Sequence, residues 1–319
     1  MMVAWPARAR PLVLAAGLAL SALVTSCGGG KAPAAKPAFD TTRPHWSDAF
    51  DRVPDIAVLV HPTAMAKDPV FGPLLKSITR MIASRTPMTA GTRTAEVLES
   101  CDEVIFGLRD TRGGDAVIVF RGVRADFDAR KLVDGNGRPM WTDGPRAPVT
   151  ELTRAATADA SLFVLPDRTW VVAVGDARAR AREAFAHPFD RPPPLRDDAS
   201  LVMVRLEGPP LVESVPRLRT KGAALEPLGR KLSAITVKLR PGKEGVVATF
   251  AYDEEDAAAF AEVRLREIVQ ELGTRGSDKT KWLGEAKVDR QAATIVAKVA
   301  IPSKLLEDLP TVNQGDLGF

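Results

Sequence analysis

Apolar residues recur along this chain in two rhythms, and their order predicts its architecture. "DIAVLVHP" (55–62) is a short apolar run between Pro54 and Pro62, as a buried strand requires. In "DPVFGPLLKSITRMIA" (68–83), Phe71, Leu74, Leu75, Ile78 and Ile82 return every three or four residues. That period predicts a helix with one face on a sheet. "GTRTAEVLES" predicts a second short helix. "DEVIFGLRD" and "GDAVIVFRG" then alternate on either side of "TRGG", the pattern of a β-hairpin. "DFDARKLVD" reads as a helix stopped by Gly135, and "DGNGRPMW" as a loop. "VTELTR" and "SLFVLPDRTWVVAVG" read as strands, and "DARARAREAF" as a helix with Asp176 at its N-cap.

After the proline-rich connector "HPFDRPPPLRDD" (187–198) the order recurs. "LVMVRLEG" parallels the first strand, and "LVESVPRLR" and "EPLGRKLS" parallel the short helices. "AITVKLRPGKEGVVATFAYD" mirrors the first hairpin, setting Leu239-Arg240 beside Leu108-Arg109. "EEDAAAFAEVRLREIVQELG" is a long helix with an acidic first turn, an Ala261, Leu265, Ile268, Leu272 stripe and Gly273 at its C-terminal cap. In "KVDRQAATIVAKVAIPSKLLEDL", Asp289-Arg290 fall beside Asp167-Arg168 at a hairpin turn. The expected fold is α+β, mainly antiparallel sheet with helices on one face. It comprises two copies of a strand-helix-hairpin-helix-hairpin-helix unit, over 48–190 and 191–310, with a frayed tail at 311–319.

The N-terminus obeys neither rhythm. Arg8 and Arg10 precede an apolar run over 11–24 that is shorter than the roughly 20 residues needed to span a bilayer. The run ends in Val24, Thr25, Ser26 and Cys27. These four residues resemble the lipobox of bacterial lipoproteins, with valine where leucine is usual. The resemblance implies a signal peptide over 1–26 and a diacylglycerol on the Cys27 sulfur. It also implies a further acyl chain, such as palmitate, on the exposed amine. Two or more chains anchor stably where one does not. "GGGKAPAAKPAFDTTRP" carries no apolar period, and 27–47 read as a lipid-attached flexible tether. Gly28, not aspartate, follows the cysteine, which by the sorting rule of enteric lipoproteins implies the outer membrane, facing the periplasm. "DEVIFGLRD", "DAVIVFRG" and "FVLPDRTWVVAVGD" are also similar to segments of predicted lipoproteins of Gram-negative bacteria, which bring no activity to carry over.

Composition narrows the partners. Lysine plus arginine number 44 against 40 acidic residues, spread without a basic block, and aromatics make up 6%. That argues against nucleic-acid binding. Once Cys27 is acylated only Cys101 remains, so no intramolecular disulfide forms. Cys101, with no histidine near it in sequence, reads as a small buried apolar residue.

Candidate chemistry is sparse. The chain lacks GxSxG, HExxH, CxxC and a strand-linked dinucleotide fingerprint. "GTRGSDKT" (273–280) follows a helix and has Asp278 where a P-loop needs glycine. His45, His61 and His187 are far apart and read as capping or surface residues, not metal ligands. Asp102-Glu103, Asp197-Asp198 and Glu254-Glu255 read as turn and helix-start residues. Arg178 and Arg182, one turn apart, are the candidate anion ligands, weighed against a solvated helix face. Trp46 and Trp141 read as exposed loop contacts, and Trp170 and Trp282 as strand core.

The expectation is a lipid-anchored envelope module with no catalytic residues, cofactor or metal. It would bind an envelope protein, polymer or lipid. The alternatives are a hydrolase or transferase of unfamiliar type and a carrier of an apolar ligand.

Overall fold

A computed structural model describes residues 44–50, 53–69, 71–72, 75, 92–109, 115–134, 136–144, 149–187, 199–208, 219–220, 223–224, 226–241, 245–277 and 280–302. The signal peptide, Cys27, nearly all of the tether, the tail, "LVESVPRLR" but for its last residue, and most of the helix expected over 68–83 lie outside them. Two compact units meet between Arg196 and Asp197.

In the first unit, β1 (Ile56–Val60) leads to α1 (Pro62–Lys67) and α2 (Thr92–Ser100). The hairpin β2 (Glu103–Leu108) and β3 (Ala116–Arg121) follows, then β4 (Trp141–Asp143), β5 (Thr150–Arg154), β6 (Ala160–Val164), β7 (Trp170–Val174) and α3 (Ala177–Ala186). The sheet order is β1-β2-β3-β7-β6-β5-β4, with every neighbouring pair antiparallel. α3 lays Phe185 edge-on against Phe163 of β6, ring centres 5.1 Å apart. A separate cluster gathers Val97 and Cys101 with Leu132, Trp141, Leu162 and Trp170.

The second unit runs β8 (Val202–Glu207), the two-residue ribbon β9 (Arg219–Thr220) and β10 (Ala223–Ala224), then β11 (Leu232–Leu239) and β12 (Val246–Tyr252). α4 (Glu255–Arg275), β13 (Lys287–Gln291) and β14 (Thr294–Val299) complete it, and the sheet order is β8-β11-β12-β14-β13. α4 buries Ala258, Ala261, Leu265, Ile268 and Val269. Leu265 and Ile268 are 1% and 2% exposed, and such burial contributes about 1.5–3 kcal/mol apiece.

The fold is therefore α+β and antiparallel, and the repeat read from sequence reappears in its topology. By rank along the chain, β1-β2-β3-β7-β6 and β8-β11-β12-β14-β13 are the same order, with β4 and β5 added in the first unit. The registers agree as well. Ile56 lies opposite Leu108 as Val202 lies opposite Leu239. Arg109 and Arg240 then close equivalent turns, donating their amides to Asp115 O and Gly245 O.

Five local readings are corrected. "DFDARKLVD" forms only the 3₁₀ turn Ala129–Lys131, because Phe127, Ala129 and Leu132 are drawn into the cluster around Trp141. "EPLGRKLS" turns only over Glu226–Gly229, then enters β11 through Lys231 at φ 61°. Asp289-Arg290 lie within β13, not at its turn, since the β13–β14 turn has two residues where the β6–β7 loop has five. Gly273 does not cap α4, which runs on to Arg275 with Gly276 at the C-cap. Its role is close approach: a Cβ added at Gly284 would sit 2.2 Å from Gly273 Cα. Asp176 has helical backbone angles and no side-chain cap bond. Its amide is held instead by Asp115, from the other side of the β3–β7 pair.

Candidate functional site

The alternating run "DARARAREAF" folds into α3 because Ala177, Ala181, Ala184 and Phe185 share one face, which the sheet buries. Helical geometry then puts Arg178 and Arg182 on one flank of that face and Arg180 on the other. Each flank finds an acid. Arg182 makes a two-pronged bond to Glu151 of β5, with Nε to Oε2 at 2.8 Å and Nη2 to Oε1 at 2.6 Å. The Ser161 hydroxyl donates to the same Oε1 at 2.7 Å and accepts from Arg178 Nε at 3.3 Å. Arg178 also donates to the carbonyl of Ala158. On the opposite flank Arg180 donates to Asp115 Oδ2 at 2.6 Å, while Asp115 Oδ1 takes the Asp176 amide at 2.8 Å.

Arg178 and Arg182 are thus brought together as the sequence suggested, but the anion they share is the chain's own. Nor are they merely a solvated face. The Glu151 side chain is fully buried, and Ser161 is buried with it. Burial alone would raise the Glu151 pKa. The hydrogen bonds from Arg182 and Ser161, with the charges of Arg182 and Arg178, overcome it and hold the carboxylate below its usual range. Both carboxylate oxygens are bonded, so Glu151 is a poor general base and Ser161 has no free base to activate it. The cluster works as a clamp between α3 and the sheet. Glu151 and Ser161 were not legible as partners. The only signal was a charged residue in an otherwise half-apolar strand.

Beside Asp115 and Arg180, a cleft is lined by Phe50, Pro54, Gly107 and Arg109. Its cavity volume is about 20 Å³, room for about one water, against the several hundred Å³ of ligand pockets. Gly107 is needed there because a Cβ would fall 2.6 Å from the Phe50 ring.

Other sequence candidates have structural partners. Cys101 is fully buried, and its thiol donates to Val97 O at 3.0 Å. Burial, then the Asp102 charge, pushes its pKa up to about 12, far from a reactive thiolate. His45 caps the 3₁₀ turn Trp46–Ala49: its Nδ1 accepts the Ser47 amide and lies 2.7 Å from the Ser47 hydroxyl. That serine–histidine contact belongs to a cap, with Ser47 1% exposed. His61 and His187 stand at the ends of α1 and α3. Glu103 pairs with Arg121, and Glu254 with Lys231 at 3.0 Å. Asp197-Asp198 lie outside the described residues. Trp46 and Trp141 are buried, not exposed: Arg121 lies over the Trp46 ring, and Trp141 sits on β4 in the core. Trp170 is core on β7, whereas Trp282 is buried from a 3₁₀ turn, Lys281–Glu285, not from a strand.

The fold and clamp define an antiparallel α+β protein built of two units with a shared strand order. No family model matches the chain, and no curated protein does. Among solved structures it is similar to TP0453 in its crystal forms III and I, each with a TM-score of 0.51 at 10% identity. The similarity covers 83% of this chain and 98% and 96% of those two chains. At that identity the likeness is one of fold. No helix among the described residues is long and apolar enough to cross a membrane.

Proposed function

We propose that this chain is a lipoprotein of the bacterial cell envelope, anchored through acyl chains on Cys27 and acting as a non-enzymatic binding or scaffold module. The observation that carries the reading is the run of Arg8, Arg10, the apolar stretch 11–24 and Val24-Thr25-Ser26-Cys27. The clamp supports the non-enzymatic part, because its acid, hydroxyl and arginines are consumed in holding α3 to the sheet. Its place is the outer membrane, facing the periplasm, and its partner an envelope protein or polymer.

Mass spectrometry of the mature N-terminus tests the anchor. The expected product begins at Cys27 and carries diacylglycerol and an amide-linked acyl chain, and Cys27→Ala releases the protein from the membrane fraction. An unmodified cysteine in the mature chain would sink the reading. Crosslinking in intact envelopes tests the binding role, which fails if the protein is recovered only alone.

A further inference from the structure

The strand registers of the two units correspond residue by residue. Leu108 pairs with Ala116 as Leu239 pairs with Val246, and Ala116 pairs with Val174 as Val246 pairs with Val299. One step inward, the row Val117, Ala173, Ser161 corresponds to Val247, Lys298, Lys287. Val171 and Phe163 likewise correspond to Val296 and Asp289. Directly paired residues point to one face of a sheet. In the first unit α3 covers that face, with Phe185 on Phe163 and Arg178 on Ser161. In the second unit α4 packs on the opposite face. Its Arg266 bonds the Val288 carbonyl, and its Glu262 holds Arg290, whose strand partner Ile295 is fully buried.

The face that corresponds to the one under α3 is nevertheless covered. Val247 and Val296 are buried, and so is Met203, two strands further along the Val247 row. Neither α4 nor the turns Glu226–Gly229 and Lys281–Glu285 packed beside it account for that. The sequence after β14 does. α3 begins at Ala177, three residues after Val174; three residues after Val299 stands Pro302, and proline is favoured at the first position of a helix. Ala181 and Ala184, on the buried side of α3, lie seven and ten residues after Val174. Leu306 and Leu309 lie seven and ten residues after Val299, and Pro310 bars a further turn. Leu305 takes the place of Arg180, which reaches toward β3, and so leans toward β12 and Val247. The charges are inverted. Glu307 takes the place of Arg182, and the strand residues below it are lysines instead of an acid and a serine. Lys287 and Lys298 are exposed and directly opposed, an arrangement that by itself works against a sheet. Carboxylates at 307 and 308 answer it.

We infer that residues 302–309 are the second unit's counterpart of α3, a helix docked on the sheet face opposite α4. Leu306 and Leu309 lie on Val247 and Val296, and Glu307 stands among the ammonium groups of Lys287 and Lys298. The inference is independent of the anchoring reading. A helix this short does not persist alone in water, so the sheet holds it. It can open without breaking a strand pair, and its release bares Val247 and Val296. It is a latch on the second unit, built like α3 and charged in the opposite sense.

The test begins with the full chain unaltered. Hydrogen exchange read by peptide mass spectrometry should find the amides of 305–309 severalfold slower than those of 313–319. A carbodiimide, which joins an amine to an adjacent carboxylate without a spacer, should link Lys287 or Lys298 to Glu307 or Asp308. Leu306→Asp with Leu309→Asp should return 305–309 to the rate of 313–319 and abolish the link, with the amides of β12 and β14 still protected. Glu307→Lys keeps the leucines but sets like charges together, and should speed the same amides severalfold. Exchange at 305–309 as fast as at 313–319 in the parent chain overturns the inference. So does a product in which Glu307 and Asp308 are linked only to other lysines, such as Lys281 beside α4. Protection that survives the double substitution, or an unchanged rate in the Glu307→Lys protein, overturns it too.

Discussion

Replacing Arg182 by methionine keeps most of its packing stem but removes both bonds to Glu151. The carboxylate left behind is fully buried, retains only the Ser161 hydroxyl, and feels Arg178 at one remove. Breaking a buried ion pair by deleting one partner costs about 3–5 kcal/mol. Arg182 itself is 37% exposed, so water can follow the missing guanidinium, and the expected loss falls to about 2–3 kcal/mol. Urea unfolding followed by tryptophan emission is a suitable assay. Trp46, Trp141 and Trp170 report on the first unit, and Trp282 on the second. Adding Glu151→Gln to Arg182→Met removes the stranded charge and should recover part of the loss. The pH dependence has a definite sign. The folded-state pKa of Glu151 lies below its ordinary value, so its contribution is complete above that value near 4.5 and disappears as pH falls through the folded pKa. Arg182→Met should flatten the acid limb of the stability profile. A loss under about 1 kcal/mol, or a double variant no more stable than the single one, would refute the clamp.

Two further outcomes are expected. Cys101, with its pKa pushed up to about 12, should resist thiol reagents at pH 8 in the folded protein and react within minutes once unfolded; prompt labelling under native conditions would contradict its burial. Gly284→Ala should lower the stability of the second unit by about 1–3 kcal/mol, because its Cβ has no room beside Gly273, and a neutral effect on the Trp282 transition would count against that contact.

The fold was legible where a segment's own pattern agreed with its surroundings. The β2–β3 and β11–β12 hairpins alternate visibly, and their matching Leu-Arg pairs carry the repeat in the sequence itself. Legibility failed where a distant partner decided the matter. Asp176 looks like an N-cap by its position, yet its side chain makes no cap bond, and its own amide is held by Asp115, 61 residues away. Gly273 looks like a terminator, yet its missing side chain serves a neighbour that only the fold brings near. Trp46 and Trp141 sit in segments without apolar period, and nothing local announces that Arg121 or the core will cover them. The clamp was half visible: the arginine spacing is helical arithmetic, but its acid and hydroxyl come from two other strands.

The way α3 is held has a consequence for the order of events when the chain folds. The helix has ten residues, too few to persist alone in water, and its first amide has no cap from its own side chains. Asp115, just before β3, holds the amide of the flanking Asp176, and the three arginines answer to Asp115, to groups on β5 and β6 and to the Ala158 carbonyl between those strands. None of those groups is in place until the sheet has paired. The chain would therefore assemble this sheet first and acquire the helix as a late latch. Pulse-labelling exchange should find the amides of β2 and β3 protected before those of residues 177–186.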